Sequence, residues 1–234
     1  MGMTTVVDQR GWSEVPDFWD EKNWARPYHF LQTVSKAQDD QPAVPEERPY
    51  LTDKVTSGFA YRRAVERSSL TRLAEGSFAG DDLQALLRCL YQALAVEGHF
   101  VAGVVTDTVE GWADGYWTVE HEPRHIRNSL VAVDPDQTAR MIQGQEWATG
   151  PGVMIVLALD WAQVQSANQD VDQAYAAALI ACGRIGHALV LEGQHHALRA
   201  RMTPAVHEST AAGLFRFPEH VSPLYAIRLA KPNG

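Results

Sequence analysis

The chain has 234 residues, 45% of them hydrophobic, and a formal net charge of −9 at pH 7. That apolar share can fill the core of one large domain, while the negative charge argues against nonspecific binding to nucleic acid or to an anionic membrane surface. The two cysteines fall in helical patterns, no basic-then-apolar leader opens the chain and no apolar run reads as a membrane span of about 20 residues, so a reduced cytoplasmic protein is expected.

Residues 1–57 show no sustained period but carry Trp12, Phe18, Trp19, Trp24, Phe30 and several prolines. So aromatic a stretch reads as an arm lying against the main body or a partner subunit, ahead of a domain over residues 58–234. Residues 60–87, AYRRAVERSSLTRLAEGSFAGDDLQALL, gather Arg62, Arg63, Arg67 and Arg72 with Ser68, Ser69 and Thr71. Guanidinium forks and hydroxyls are what a phosphate needs; a solvated basic face is the plainer alternative. The spacing of Leu83, Leu86, Leu87, Leu90 and Leu94 predicts a helix over 80–94, with Asp81 and Asp82 in its first turn.

Strands are expected over 99–109 and 115–121, with Gly111 and Asp114-Gly115 between them. Asp134 is placed to cap a short helix with Pro135 at its first position. The apolar run 152–161 suits a strand covered on both faces. Residues 170–198 hold no proline, are rich in Ala and Leu, and predict a long core helix buried on most sides. Thr203 with Pro204 reads as the start of a further helix, and 223–231 as a closing strand. The order of elements gives an α+β fold with helices packed on a mixed sheet.

Residues 116–126, YWTVEHEPRHI, contain a literal HExxH, His121 to His125. Zinc binding by that motif needs both histidines on one helical face, and Pro123 between them, after a strand-like run, forbids it. Glu146 is cut off as a third ligand by Asp134-Pro135 and Gly144, so no metal is assigned. His195 and His196 are adjacent and point to different sides of a helix.

The run ERSSLTRLAEGSFAGDDLQALL resembles the opening of the nitroreductase-like flavin proteins, where an Arg-x-Ser-x-Arg-aromatic motif precedes a Leu-rich helix. Arg67, Ser69 and Arg72 match it, with one extra residue before Arg72 and Leu73 in the aromatic position. Gly183, Leu189 and Leu191 resemble the family's core-helix pattern Gly-x-x-x-Gln-Asn-Leu-x-Leu, with His187 and Ala188 replacing Gln-Asn. VSPLYAIRLAKP resembles the closing strand, and VEGWADGYWTVEHEPRH with GQEWATGPGVMIVLALDW resembles the SagB-type dehydrogenase branch, which makes His125 a turn histidine.

The resemblance covers about residues 58–232. It implies a nitroreductase-like sheet flanked by helices, an intertwined homodimer and an FMN-dependent oxidoreductase acting on a small or peptide-derived substrate in natural-product tailoring. It implies Arg67, Ser69 and Arg72, with Arg201 as a fourth group, around the FMN phosphate, and Tyr175 and His187 as proton-transfer candidates. Several cofactor contacts of the family are altered: the Ser/Gly-rich stretch after the first helix and the glycine turn after the core helix, here HALRARM, are both missing. A flavin-free member serving as a binding or scaffold subunit, or running cofactor-independent chemistry, is therefore the alternative.

Overall fold

A computed structural model describes residues 77–119, 126–167 and 171–232. The aromatic arm, Arg67, Ser69 and Arg72, and the His121–His125 turn lie outside the described residues.

Helix α1 spans Gly80–Glu97 and buries Leu83, Leu86, Leu87, Leu90 and Leu94, the stripe that the spacing predicts. Asp81 and Asp82 occupy its first turn, and Gly98 closes it in the left-handed region, φ 60°, with its N–H donated to the Leu94 carbonyl. Strands β1 (Phe100–Asp107), β2 (Gly115–Val119) and β3 (Ile126–Asn128) follow. Helix α2, Pro135–Met141, is capped by the Asp134 side chain, which accepts from the Asp136 N–H, with Pro135 first as expected. A single 3-10 turn, Glu146–Ala148, leads into β4, Gly152–Asp160. Trp161 opens helix α3, Trp161–Ala167, rather than ending the strand. Helix α4, Val171–His195, is the long core helix. Strand β5 (Arg199–Thr203), helix α5 (Glu208–Phe215) and strand β6 (Val221–Ala230) complete the order.

The six strands pair in the order β3-β2-β1-β4-β6-β5. Every neighbouring pair is antiparallel, and a parallel bridge joins Phe78 to Val109. Alternation along the strands divides the core in two. Ala102, Val104, Ile155, Leu157, Ile227 and Leu229 face α1 and α4. Val105, Met154, Val156 and Ala226 face the other way, toward Met141, Trp147, Leu214 and Phe215. Strand β4 is buried along its length except at Asp160, the two-sided cover that its apolar run predicts. Cys89 and Cys182 are both buried.

One expected start is wrong. The helix assigned to Thr203 and Pro204 begins at Glu208, with His207 at its cap. Thr203 instead ends β5, where it pairs with Ala226, and its hydroxyl accepts the Ala205 N–H at 3.0 Å. A Ser/Thr followed by Pro serves a turn as well as a helix start, and the ladder to β6 claims it here. The expectation about membrane-length runs also needs correction: Asp172–His195 is long and apolar enough to cross a membrane by length and composition, but 56% of its most apolar window is buried within the chain.

Candidate functional site

Arg201 and Arg228 are direct cross-strand partners on β5 and β6. Like charges placed opposite each other repel, and both side chains are drawn to the segment that enters β4. The Arg201 guanidinium lies 4.6 Å from the centre of the Trp147 ring, a cation–π contact on a half-buried side chain. Arg228 is 2% exposed. Its Nη2 donates to the carbonyls of Pro151, at 2.8 Å, and Gly150, with Thr149 farther off at 3.5 Å. Its Nη1 donates to the Leu229 carbonyl at 3.2 Å. Its Nε has no hydrogen-bond partner among the described residues.

Gly152 makes that position possible. Its φ is 129°, and a Cβ there would stand 2.7 Å from Arg228 Nη1 and 2.6 Å from the Leu229 carbonyl oxygen. Burial pushes the guanidinium down to about 10, against a smaller upward pull from Asp107. Four carbonyl dipoles and the Asp107 carboxylate thus replace the contact ion pair that a buried cation usually has.

Arg228 and Asp107 face a cleft with Val105, Val133, Thr138 and Met154 in its walls. The cleft measures about 230 Å³ with its open mouth included, below the ~300–1,000 Å³ of pockets that enclose small-molecule ligands. It does not enclose a flavin mononucleotide.

Of the predicted site residues, Tyr175, His187 and Arg201 fall among the described residues. Tyr175 is half-buried and stacks on Trp161, centroids 5.7 Å apart and planes 24° from parallel. His187 is exposed on the outer side of α4. Twelve residues separate the two, about 18 Å along a helix, so one chain does not present both to one reacting centre. Arg201 is the only predicted phosphate contact among the described residues, and Trp147 holds it. Sequence reasoning missed Arg228, although a lone charge inside the apolar run YAIRLA signals a buried, specifically held cation.

No family model matches the sequence, and no curated protein matches it. Solved structures do. A candidate nitroreductase from Anabaena variabilis superposes with a TM-score of 0.63 at 17% identity, over 74% of this chain; the chain spans only 38% of that protein. The NADPH:FMN oxidoreductase of Vibrio harveyi, complexed with NAD+, gives 0.53 at 12% identity, over 75% of this chain and 69% of that one. A chain of the E. coli microcin synthetase McbBCD complex, with truncated pro-MccB17 bound, gives 0.52 at 12% identity, over 94% of this chain and 99% of that one. At such identities the likeness concerns architecture, and the chain has the nitroreductase fold.

Proposed function

We propose that the chain is an FMN-dependent oxidoreductase of SagB type, a cytoplasmic homodimer acting on a small or peptide-derived substrate in natural-product tailoring. The observation that carries this reading is the shared fold over nearly the whole length of a microcin synthetase chain, together with the Arg67, Ser69 and Arg72 motif ahead of α1. Those three side chains bind the phosphate, and Arg201 adds positive charge at the edge of the sheet. When bound, FMN supplies hydride transfer; the protein supplies grip, orientation and the local field.

The outer side of α4 supports a second copy as partner. Leu179 is 42% exposed and Ile180 48% exposed, and Ala177, Gly183 and His187 are exposed on the same helix. An apolar helix face of this kind is normally covered. A flavin bound where two copies meet does not need the enclosure that one chain's cleft fails to give. His187 then reaches toward the partner's side of the site, while Tyr175, held by Trp161, has a positioning role.

The flavin-free alternative is favoured by one observation: Arg201 is held against Trp147. The purified full chain decides between the two. An FMN oxidoreductase is yellow, absorbs near ~450 nm and releases FMN on denaturation, and Arg67→Ala or Arg72→Ala lowers the FMN it retains. Colourless protein whose melting temperature is unmoved by added FMN rejects the reading.

A further inference from the structure

One short segment touches both arginines of the β5–β6 edge. The carbonyls of Gly150 and Pro151 accept from Arg228 Nη2, and just ahead of them the indole of Trp147 lies 4.6 Å from the Arg201 guanidinium. The indole is itself fixed. Trp147 is buried, its Nε1 donates to Gln145 Oε1 at 2.9 Å, and Gln145 Nε2 donates to the Ile142 carbonyl at 2.9 Å. The turn that carries the ring is closed by the N–H groups of Ala148 and Thr149, which donate to the Gln145 and Glu146 carbonyls at 3.1 and 3.2 Å. Arg201 thus rests on a ring pinned through its backbone and its nitrogen. A contact with a π face engages none of a guanidinium's five N–H donors. It does order a long side chain, whose freedom is otherwise lost only when it grips a ligand.

We propose that Trp147, held by Gln145, is a positioning residue that presents Arg201 to the phosphate of the flavin. The inference rests on the flavin reading and gives the indole contact the opposite sense to sequestration: the ring sets the direction of the guanidinium. The negative π face also offsets the repulsion from Arg228, the cross-strand partner of Arg201. Arg228 is 2% exposed, and through its carbonyl acceptors it steadies the segment that carries the ring. A phosphomonoester gains far more from a guanidinium than the uncharged parts of a flavin do. Trp147 therefore governs the preference for FMN over riboflavin, and not flavin binding in general.

The test titrates the full chain, freed of any flavin carried through purification, with FMN and with riboflavin. Flavin fluorescence gives the ratio of the two dissociation constants. Trp147→Leu lowers the preference for FMN about two- to thirtyfold, the range of a cation–π contact, and leaves riboflavin binding unchanged. Trp147→Phe, which keeps a π face, retains most of the preference. With Arg201→Gln already present, Trp147→Leu no longer moves the ratio, which separates positioning from a general loss of structure. Should Trp147→Leu fail to fold, Gln145→Leu, which releases the indole N–H, decides by the same ratio. A preference for FMN that is unchanged or increased, or one that falls as far in the Arg201→Gln background, overturns the proposal while FMN binding upholds the flavin reading. A chain that binds neither flavin overturns both.

Discussion

Gly183 offers the sharpest test of whether α4 faces a partner. It lies in the interior of a 25-residue helix, where glycine costs ~0.8–1.0 kcal/mol relative to alanine. Nothing in the chain requires it, since an added Cβ meets no atom within 4 Å. In a lone chain Gly183→Ala therefore stabilises by about 1 kcal/mol, roughly 2–4 °C in melting temperature for a domain of this size. In a homodimer whose helices approach at Gly183, the extra methyl overpacks the contact at a cost of ~1–3 kcal/mol and the sign reverses. The homodimer reading predicts a lower melting temperature for the variant, most depressed at low protein concentration, and weakened association by sedimentation. If the variant instead gains those degrees, and wild type sediments as a monomer with a concentration-independent melt, this face of α4 belongs to solvent and the homodimer is refuted.

Gly103→Ala should destabilise by ~1–3 kcal/mol in urea melts, because its Cβ would sit 2.6 Å from three ring atoms of Phe215. Tyr116 and Phe217 crowd that ring at 5.8 and 5.3 Å, and adding Phe215→Leu should recover part of the loss; an unchanged urea midpoint in the single variant contradicts the packing described. Burial raises the Cys182 thiol from 9.0 to about 12, so the folded state holds a proton that the unfolded state releases. Its contribution is complete below pH 9 and is lost toward pH 12, and Cys182→Ala should flatten that alkaline decline. Arg228 works in the opposite direction, its penalty easing as pH rises above about 10, so a steeper decline in Cys182→Ala would disprove the thiol's part. Arg184 grips Glu97 through Nε and Nη2 at 3.1 and 3.0 Å, with the Glu97 side chain 8% exposed and that of Arg184 28%. Glu97→Gln should cost about 1 kcal/mol, and identical urea midpoints would show that the pair contributes nothing.

What the sequence made legible was periodicity. The five leucines of α1 are all buried, and the apolar run of β4 is the two-sided strand it resembles. Edge strand β5 was hidden because Arg199 and Arg201 alternate with small residues after a long helix, and its hydrogen bonds to β6 come from a segment about 25 residues away. Local propensity carries no trace of such a partner. The polar corner was half legible. Arg201 is legible as a phosphate candidate, whereas the Trp147 ring it lies against is supplied by a 3-10 turn that no periodic signal marks. Arg228 belongs to no motif, yet at 2% exposure it is the most deeply buried cation among the described residues. Arg67, Ser69 and Arg72 are legible as a motif through their spacing ahead of the α1 leucines.

Both faces of the sheet are covered within the chain, by α1 and α4 on one side and by α2 and α5 on the other. Chemistry then has to sit at the rim, and the rim is where the structure departs from an ordinary core. At one edge two arginines on paired strands are each held by a different group, one by an indole and one by carbonyls. On the outside of α4, Leu179 and Ile180 remain open where the same helix buries Ala181, Cys182 and Ile185. Burying such apolar surface is worth roughly 25 cal/mol per Å², so covering that face against a second copy stabilises association without any new polar contact. It would also place His187 of one copy beside the surface of the other. The exposed face of α4 is therefore the feature to test first, because a chain that stays monomeric loses the partner surface on which the flavin reading depends.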